Sequence, residues 1–188
     1  MNKTIKKYLP YTLAGIAFYL LFLKNTTKAP VTSSVIKEYV QKLMMYATNI
    51  MAEYGIPPIV YITQSALESG FGTSLLARQA NNLFGIKATT AWINDGKPVY
   101  IAPTKEYFAF IPYTSTEKFR RYSSWEESLN DWAQLISTAS RYAESYKWAI
   151  NEDIINFAKA IGSSGYATDP KYTEKILNFA KLVQGELA

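Results

Sequence analysis

The chain has no cysteine and no histidine among its 188 residues. Without cysteine there can be no disulfide framework, no thiolate nucleophile and no cysteine-ligated metal. The absence of histidine removes the serine–histidine triad, the common zinc sites and every histidine acid–base scheme. No metal and no organic cofactor is expected. Any general acid–base chemistry must come from Asp, Glu, Tyr or Lys.

Acidic residues are also missing from the first thirty positions, which hold five lysines: Lys3, Lys6, Lys7, Lys24 and Lys28. Residues 31–188 then carry fifteen basic and fifteen acidic groups, so the formal charge of +5 belongs to the N-terminal segment. A neutral body argues against a nucleic-acid partner, which calls for basic charge gathered on one face. The stretch from Tyr8 to Leu23 has sixteen residues and no charge, short of the roughly 20 that span a bilayer comfortably. Three readings compete. A cleaved secretory signal has the right basic start, but its best small-residue cleavage site, ending at Ala29, is followed directly by Pro30. A buried soluble helix sits poorly beside a lysine cluster. An uncleaved membrane anchor fits best, with Lys3, Lys6 and Lys7 holding the N-terminus in the cytoplasm and the rest of the chain outside it. The expected organisation is an anchor or signal segment over 1–24, a polar linker over 25–34 and one folded body over 35–188.

Local signals divide that body. Ser33 or Ser34 can cap a helix running to about Tyr54, where Gly55 ends it. Pro57-Pro58 opens a helix over 58–69 that Gly70 stops, and a short helix over 73–79 follows. Residues 81–95 read as loop. Val99-Tyr100-Ile101 and Lys118-Phe119-Arg120 have strand content, with Pro103 and Pro112 as punctuation, so a small β-hairpin with an extended tip is predicted. Ser124-Trp125-Glu126-Glu127 is a capping box opening a helix to about Ser137. Asn151 is read as the cap of a helix over 152–161, and Asp169-Pro170 opens the last helix, to about Leu187. The fold class is mainly α with one β insertion, of the lysozyme-like α+β kind.

Most of the fifteen carboxylates have a structural explanation. Glu126, Glu127, Glu152 and Asp153 fall in first turns of helices, where the macrodipole favours negative charge, and Asp169 is a cap. Glu38, Glu53, Glu144, Glu174 and Glu186 read as solvated helix faces. Glu68 differs. It stands near the C-terminal end of an otherwise apolar helix, where the macrodipole disfavours a negative charge and Leu67 and Phe71 add desolvation. Both effects raise a carboxyl pKa, as a proton donor working near neutrality requires. Gln64, one turn earlier, can share its face. Gly70 and Gly72 leave room for a ligand to approach the backbone. The residues alone leave a buried, hydrogen-bonded structural glutamate as the other possibility.

Five blocks in order carry a resemblance: Ala66-Leu67-Glu68-Ser69-Gly70-Phe71-Gly72, Asn81-Asn82-Leu83-Phe84-Gly85-Ile86-Lys87, Thr104-Lys105-Glu106-Tyr107, Phe119-Arg120-Arg121-Tyr122 and Gly165-Tyr166-Ala167-Thr168-Asp169-Pro170. They span about 58–180 and resemble the glucosaminidase domain of bacterial autolysins and flagellar peptidoglycan hydrolases, glycoside hydrolase family 73. The resemblance implies that Glu68 is the catalytic acid, Glu106 the second carboxylate on the hairpin and Tyr166 the tyrosine near the scissile bond. Glycoside hydrolysis generally pairs a protonated carboxyl with a carboxylate on the other side of the sugar, which makes chemical sense of the first two. An exposed hairpin-tip charge at Glu106 and a packed loop tyrosine at position 166 are the structural alternatives.

Fifteen tyrosines and four tryptophans offer many flat faces for pyranose rings, but aromatic residues also dominate cores. Gln64, Phe71, Phe84, Tyr122 and Tyr142 are cleft candidates by proximity to the blocks. Asn81 and Asn82 can bind an N-acetyl group or satisfy loop backbone. The implied activity is that of an endo-β-N-acetylglucosaminidase on peptidoglycan glycan strands. The rivals are a muramidase or lytic transglycosylase on the same scaffold, and a membrane-anchored glycan-binding or assembly protein without catalysis. The sequence leaves retaining, inverting and substrate-assisted hydrolysis open.

Overall fold

Proline and glycine set the ends of the central helix. In a computed structural model, which describes residues 31–108, 111–167 and 169–188 (backbone only over 103–108 and 111–115), α1 spans Ser33–Met44, α2 Ala47–Tyr54 and α3 Pro58–Ser69. Pro57 is extended and Pro58 occupies the first turn of α3, where its missing N–H costs nothing. Gly70 closes α3 in the left-handed conformation at φ 59°, its N–H donating to Ala66 O. Every residue from Val60 to Leu67 is buried, the polar Thr63, Gln64 and Ser65 among them. The N-terminal segment expected to be an anchor, and Thr168, lie outside the described residues. Among the described residues no helix is long and apolar enough to cross a membrane.

The first expected helix is two. The N–H groups of Met45 and Tyr46 turn back three residues, to Lys42 O at 3.3 Å and Leu43 O at 3.1 Å, and this tightened turn breaks α1 from α2. Thr32, one residue before the expected caps Ser33 and Ser34, caps α1 by accepting from Val35 N. α4 spans Leu75–Ala80 and is capped by Ser74. The 81–95 stretch, read as loop, contains α5, Thr90–Asn94, capped by Thr89. That short helix buries Trp92, whose indole N–H donates to Pro98 O at 2.9 Å.

β1, Val99–Phe108, and β2, Ile111–Arg120, form a two-stranded antiparallel sheet, pairing Val99 with Arg120 at the base and Phe108 with Ile111 at the tip. The strands are longer than expected because Pro103 and Pro112 lie inside them. Both strands are edges, so a missing N–H can face outward without breaking the ladder. The base packs Ala102 and Phe119 on Leu76 and Ala80 of α4.

α6 spans Trp125–Thr138; Ser124 Oγ accepts from Glu127 N, and Glu127 Oε2 accepts in return from Ser123 N at 2.7 Å. A short 3-10 turn over Ser140–Tyr142 leads to α7, Ala143–Ile150, and α8, Ile154–Ser163. Asp153, not Asn151, caps α8: its Oδ1 accepts from Asn156 N at 2.9 Å, while Asn151 Nδ2 donates back to Lys147 O. α9, Tyr172–Leu187, begins after Asp169 Oδ1 accepts from Lys171 N. α9 packs along α3, α8 and α1, α1 also packs on α3, and α6 packs on α2 and α7. The result is the mainly helical body with a β-hairpin that the sequence implied.

Candidate active site

Glu68 sits in the last turn of α3, partly buried, at the point where the chain leaves the core. Gly70, Phe71 and Gly72 follow it with φ of 59°, 55° and 73°, a left-handed run that only glycine enters freely. Ser69 holds this turn: its Oγ donates to Ser65 O at 2.6 Å and accepts from Gly72 N at 2.8 Å. Gly72 was read as leaving room for a ligand. The structure fills that room, since a Cβ there would lie 2.5 Å from the Trp125 ring.

Three side chains surround the Glu68 carboxyl. Tyr172, the first residue of α9, donates its hydroxyl to Glu68 Oε1. Gln64, fully buried one turn before Glu68, directs Nε2 to Glu68 Oε1 at 3.3 Å and to the Tyr172 hydroxyl oxygen. Lys175, one turn on in α9, is ion-paired with Asp169 and adds positive potential at Glu68. Burial dominates: it pushes the Glu68 carboxyl up to about 7, and the Tyr172 hydrogen bond and Lys175 only partly oppose it. Glu68 can therefore hold a proton near neutral pH.

Tyr166 enters beside this group. Its hydroxyl donates to Phe84 O at 3.4 Å, and its ring lies 6.2 Å from that of Tyr172 and 5.8 Å from that of Tyr142. Burial first, and then the nearby Glu68 charge, push the Tyr166 hydroxyl well above its ordinary value, so it stays protonated. Glu106 occupies a backbone position in β1 opposite Tyr113.

Several residues proposed for the cleft are placed in the core instead. Phe71 is 5% exposed, stacked on Phe179 at 5.3 Å and in a T-shaped contact with Tyr39, so its ring is held in the core. Phe84, 3% exposed, stacks on Trp132 with planes 8° apart. Tyr122 is buried against Trp92 and donates to Asp131 Oδ2 at 2.6 Å, and Tyr142 is buried beside Arg141. Asn82 spends its amide on the backbone: Oδ1 accepts from Ile86 N at 3.1 Å, and Nδ2 donates to Ile86 O and Arg120 O. Asn81 ends α4 in the left-handed region and donates to Tyr122 O. Of the two readings of this pair, the loop-backbone one describes Asn82. Gln64 reaches Glu68 but is wholly buried, so it acts on the carboxyl from beneath.

Tyr172 is the residue the sequence reading missed. It stood two positions past the last recognised block. Its signal was the buried stripe Tyr172, Ile176, Ala180 and Val183 on α9: a tyrosine in such a stripe needs a partner for its hydroxyl.

A helical body with a β-hairpin, and a carboxyl half-buried at the end of its central helix, is the arrangement of a lysozyme-like glycoside hydrolase. The glucosaminidase family, described as mannosyl-glycoprotein endo-beta-N-acetylglucosaminidase, matches residues 44–184. The chain belongs to this family. It is 29% identical over 165 residues to the peptidoglycan hydrolase FlgJ of Vibrio parahaemolyticus serotype O3:K6, covering 86% of this chain and 52% of that protein. It is 33% identical over 175 residues to the exo-glucosaminidase LytG of Bacillus subtilis, covering 88% of this chain and 60% of LytG. Among solved structures, a mutant peptidoglycan hydrolase from Sphingomonas sp. A1 superposes with a TM-score of 0.67 at 31% identity, covering 80% of this chain and 97% of that one. A C-terminally truncated glycoside hydrolase domain of Salmonella typhimurium FlgJ gives 0.64 at 32% identity, with 80% and 98% covered. The chain spans about half the length of FlgJ from Vibrio parahaemolyticus.

Proposed function

We propose that this chain is an endo-β-N-acetylglucosaminidase that cuts β-1,4 bonds in the glycan strands of peptidoglycan. The observation that carries this reading is the Glu68 carboxyl, held by burial at about 7 on a family-matching helix end. Such a group keeps a substantial protonated fraction near neutral pH and can donate to the leaving glycosidic oxygen. Glu106 is proposed to activate water or to offset the positive charge that develops on the sugar. Tyr166, kept neutral by its surroundings, is proposed to orient groups at the scissile bond. The similarity to FlgJ, a peptidoglycan hydrolase, supports the substrate, and the similarity to LytG, an exo-glucosaminidase, supports the bond type.

The same reading places the body outside the cytoplasm, where peptidoglycan lies, with the apolar stretch Tyr8–Leu23 retained as a membrane anchor. Salt-resistant, detergent-sensitive membrane association of the full-length chain supports the anchor. A mature N-terminus near residues 24–34 by mass spectrometry would show a removed signal instead.

The activity is tested by digesting purified peptidoglycan with residues 31–188 and identifying the new ends. Internal cuts leaving reducing N-acetylglucosamine are expected. Reducing N-acetylmuramic acid would make the chain a muramidase, anhydro ends a lytic transglycosylase, and release of terminal sugars alone an exo-enzyme of the kind LytG is named for. No product at all would favour a binding or assembly role.

A further inference from the structure

The two oxygens of Glu68 are not equivalent. Oε1 receives the Tyr172 hydroxyl and, at 3.3 Å, one N–H of Gln64; the second N–H of Gln64 goes to the Tyr172 oxygen. A carboxyl oxygen has two lone pairs in its plane, and both on Oε1 therefore face donors. Proton donation from Oε1 would need an acceptor, and the nearest candidate, the Tyr172 oxygen, already accepts from Gln64 while its own hydrogen points at Glu68. Gln64 is fully buried and Tyr172 is 4% exposed, so water does not readily replace either.

We propose that Tyr172 and Gln64 are positioning residues that hold Oε1 as the carbonyl oxygen of Glu68 and confine the acid proton to Oε2. The proposal rests on Glu68 being the acid. On cleavage the proton leaves Oε2 for the glycosidic oxygen, and the electron pair of the sugar's C–O bond departs with the leaving sugar. Water adds to the anomeric carbon and gives up its extra proton to a base. The carboxylate charge left on Glu68 falls on an oxygen already facing two donors, so stabilisation is in place before the charge forms. The other ionisable groups facing Glu68 are Tyr166, which stays neutral, and Lys175, which is paired with Asp169.

The isosteric Tyr172→Phe variant of the full-length chain tests this, with Gln64→Met as a second variant should the first fold poorly. Losing a donor to the charged form should move the Glu68 titration, read by carbon NMR of labelled glutamate, about one pH unit upward. Glu68→Gln assigns the signal. The carbonyl stretch of protonated Glu68, read as an infrared difference against Glu68→Gln, should move to higher frequency once Oε1 loses its hydrogen bond. On peptidoglycan, kcat below the alkaline limb should fall on the order of threefold to tenfold with KM unchanged, since the proton is no longer aimed. A Tyr172 that merely packs would lower thermal stability and leave both spectroscopic readouts alone. An unmoved or downward titration, or an unmoved carbonyl stretch, overturns the proposal. These measurements need no turnover, so they fail separately from the glycosidase reading, which stands or falls on the glycan products.

Discussion

Arg120 holds both carboxylate oxygens of Asp131, at 2.6 and 2.7 Å, and so fastens the last residue of β2 to the middle of α6. The guanidinium also lies over the Trp92 ring at 4.6 Å, and Tyr122 donates to the same carboxylate. This cluster and the Asn82 amide are what the hairpin root rests on. Asp131→Ala leaves a half-buried guanidinium unpaired and should cost about 3 kcal/mol, read by denaturant unfolding. Arg120→Lys keeps the charge beside Asp131 but gives up the stacking on Trp92, so it should cost less than Asp131→Ala while remaining below the parent chain. Equal stability of Arg120→Lys and the parent chain would show that charge alone matters here.

Glu68→Gln keeps the shape of the acid but supplies no acidic proton. Release of reducing ends should fall by about two to four orders of magnitude, the usual worth of a general acid, with the far-ultraviolet circular dichroism unchanged. Near-normal turnover would remove Glu68 from the mechanism.

The same substitution should stabilise the protein at alkaline pH. The folded carboxyl is raised from 4.5 to about 7, so between those values the native state binds more protons than the unfolded chain. Stability contributed by this group is full below its unfolded value and declines as pH rises towards the folded one. The decline amounts to at most about 3 kcal/mol, and Glu68→Gln escapes it. Melting temperatures of the two proteins should therefore lie close at pH 4 and separate in favour of the variant at pH 8. Activity should follow the same titration, with an alkaline limb near pH 7; a limb unmoved from the ordinary carboxylate range would contradict the assigned environment.

Glu106→Gln tests whether Glu106 is the proposed second carboxylate. An obligatory base or charge stabiliser predicts a turnover loss of about two orders of magnitude or more with substrate binding nearly intact. Attack by the substrate's own acetamido group predicts a mild loss. Steady-state kinetics alongside equilibrium binding of glycan fragments reads the difference.

Gly72→Ala places a Cβ 2.5 Å from Trp125 in a residue held at φ 73°. Left-handed strain alone costs about 1–2 kcal/mol, and the ring must shift as well, so the melting temperature should drop by several degrees. Combining it with Trp125→Leu should return part of the loss if the clash, rather than the backbone, is the larger cause.

What the sequence made legible was local. Pro57-Pro58, Gly70 and Ser124 marked their helix ends correctly because capping and proline geometry act over a few residues. The break between α1 and α2 has no such marker: Met45 and Tyr46 are ordinary helix residues, and neither proline nor glycine stands at the turn. Phe71 and Phe84 were read as cleft rings because they neighbour Glu68 and Asn82 along the chain. Their actual directions follow from a left-handed turn and from stacking on Phe179 and Trp132, neither of which is local. Tyr172 reaches Glu68 across 104 residues, a contact that only the docking of α9 on α3 creates.

The β-hairpin is a long arm held at its root. From the Val99–Arg120 pair at its base to the Glu106–Tyr113 pair, the register advances seven positions. At ~3.4 Å per residue that is an arm of ~24 Å, and tilting it by ~10° would carry Glu106 through ~4 Å. Retaining glycosidases hold their carboxyls roughly 5–5.5 Å apart and inverting ones roughly 6.5–9.5 Å, so a tilt of that size is enough to cross from one regime to the other. If Glu106 is the second carboxylate, as proposed, the handedness of the product becomes an angular quantity, set at the root by Arg120, Asp131 and Asn82 as well as by the carboxylate out on the arm.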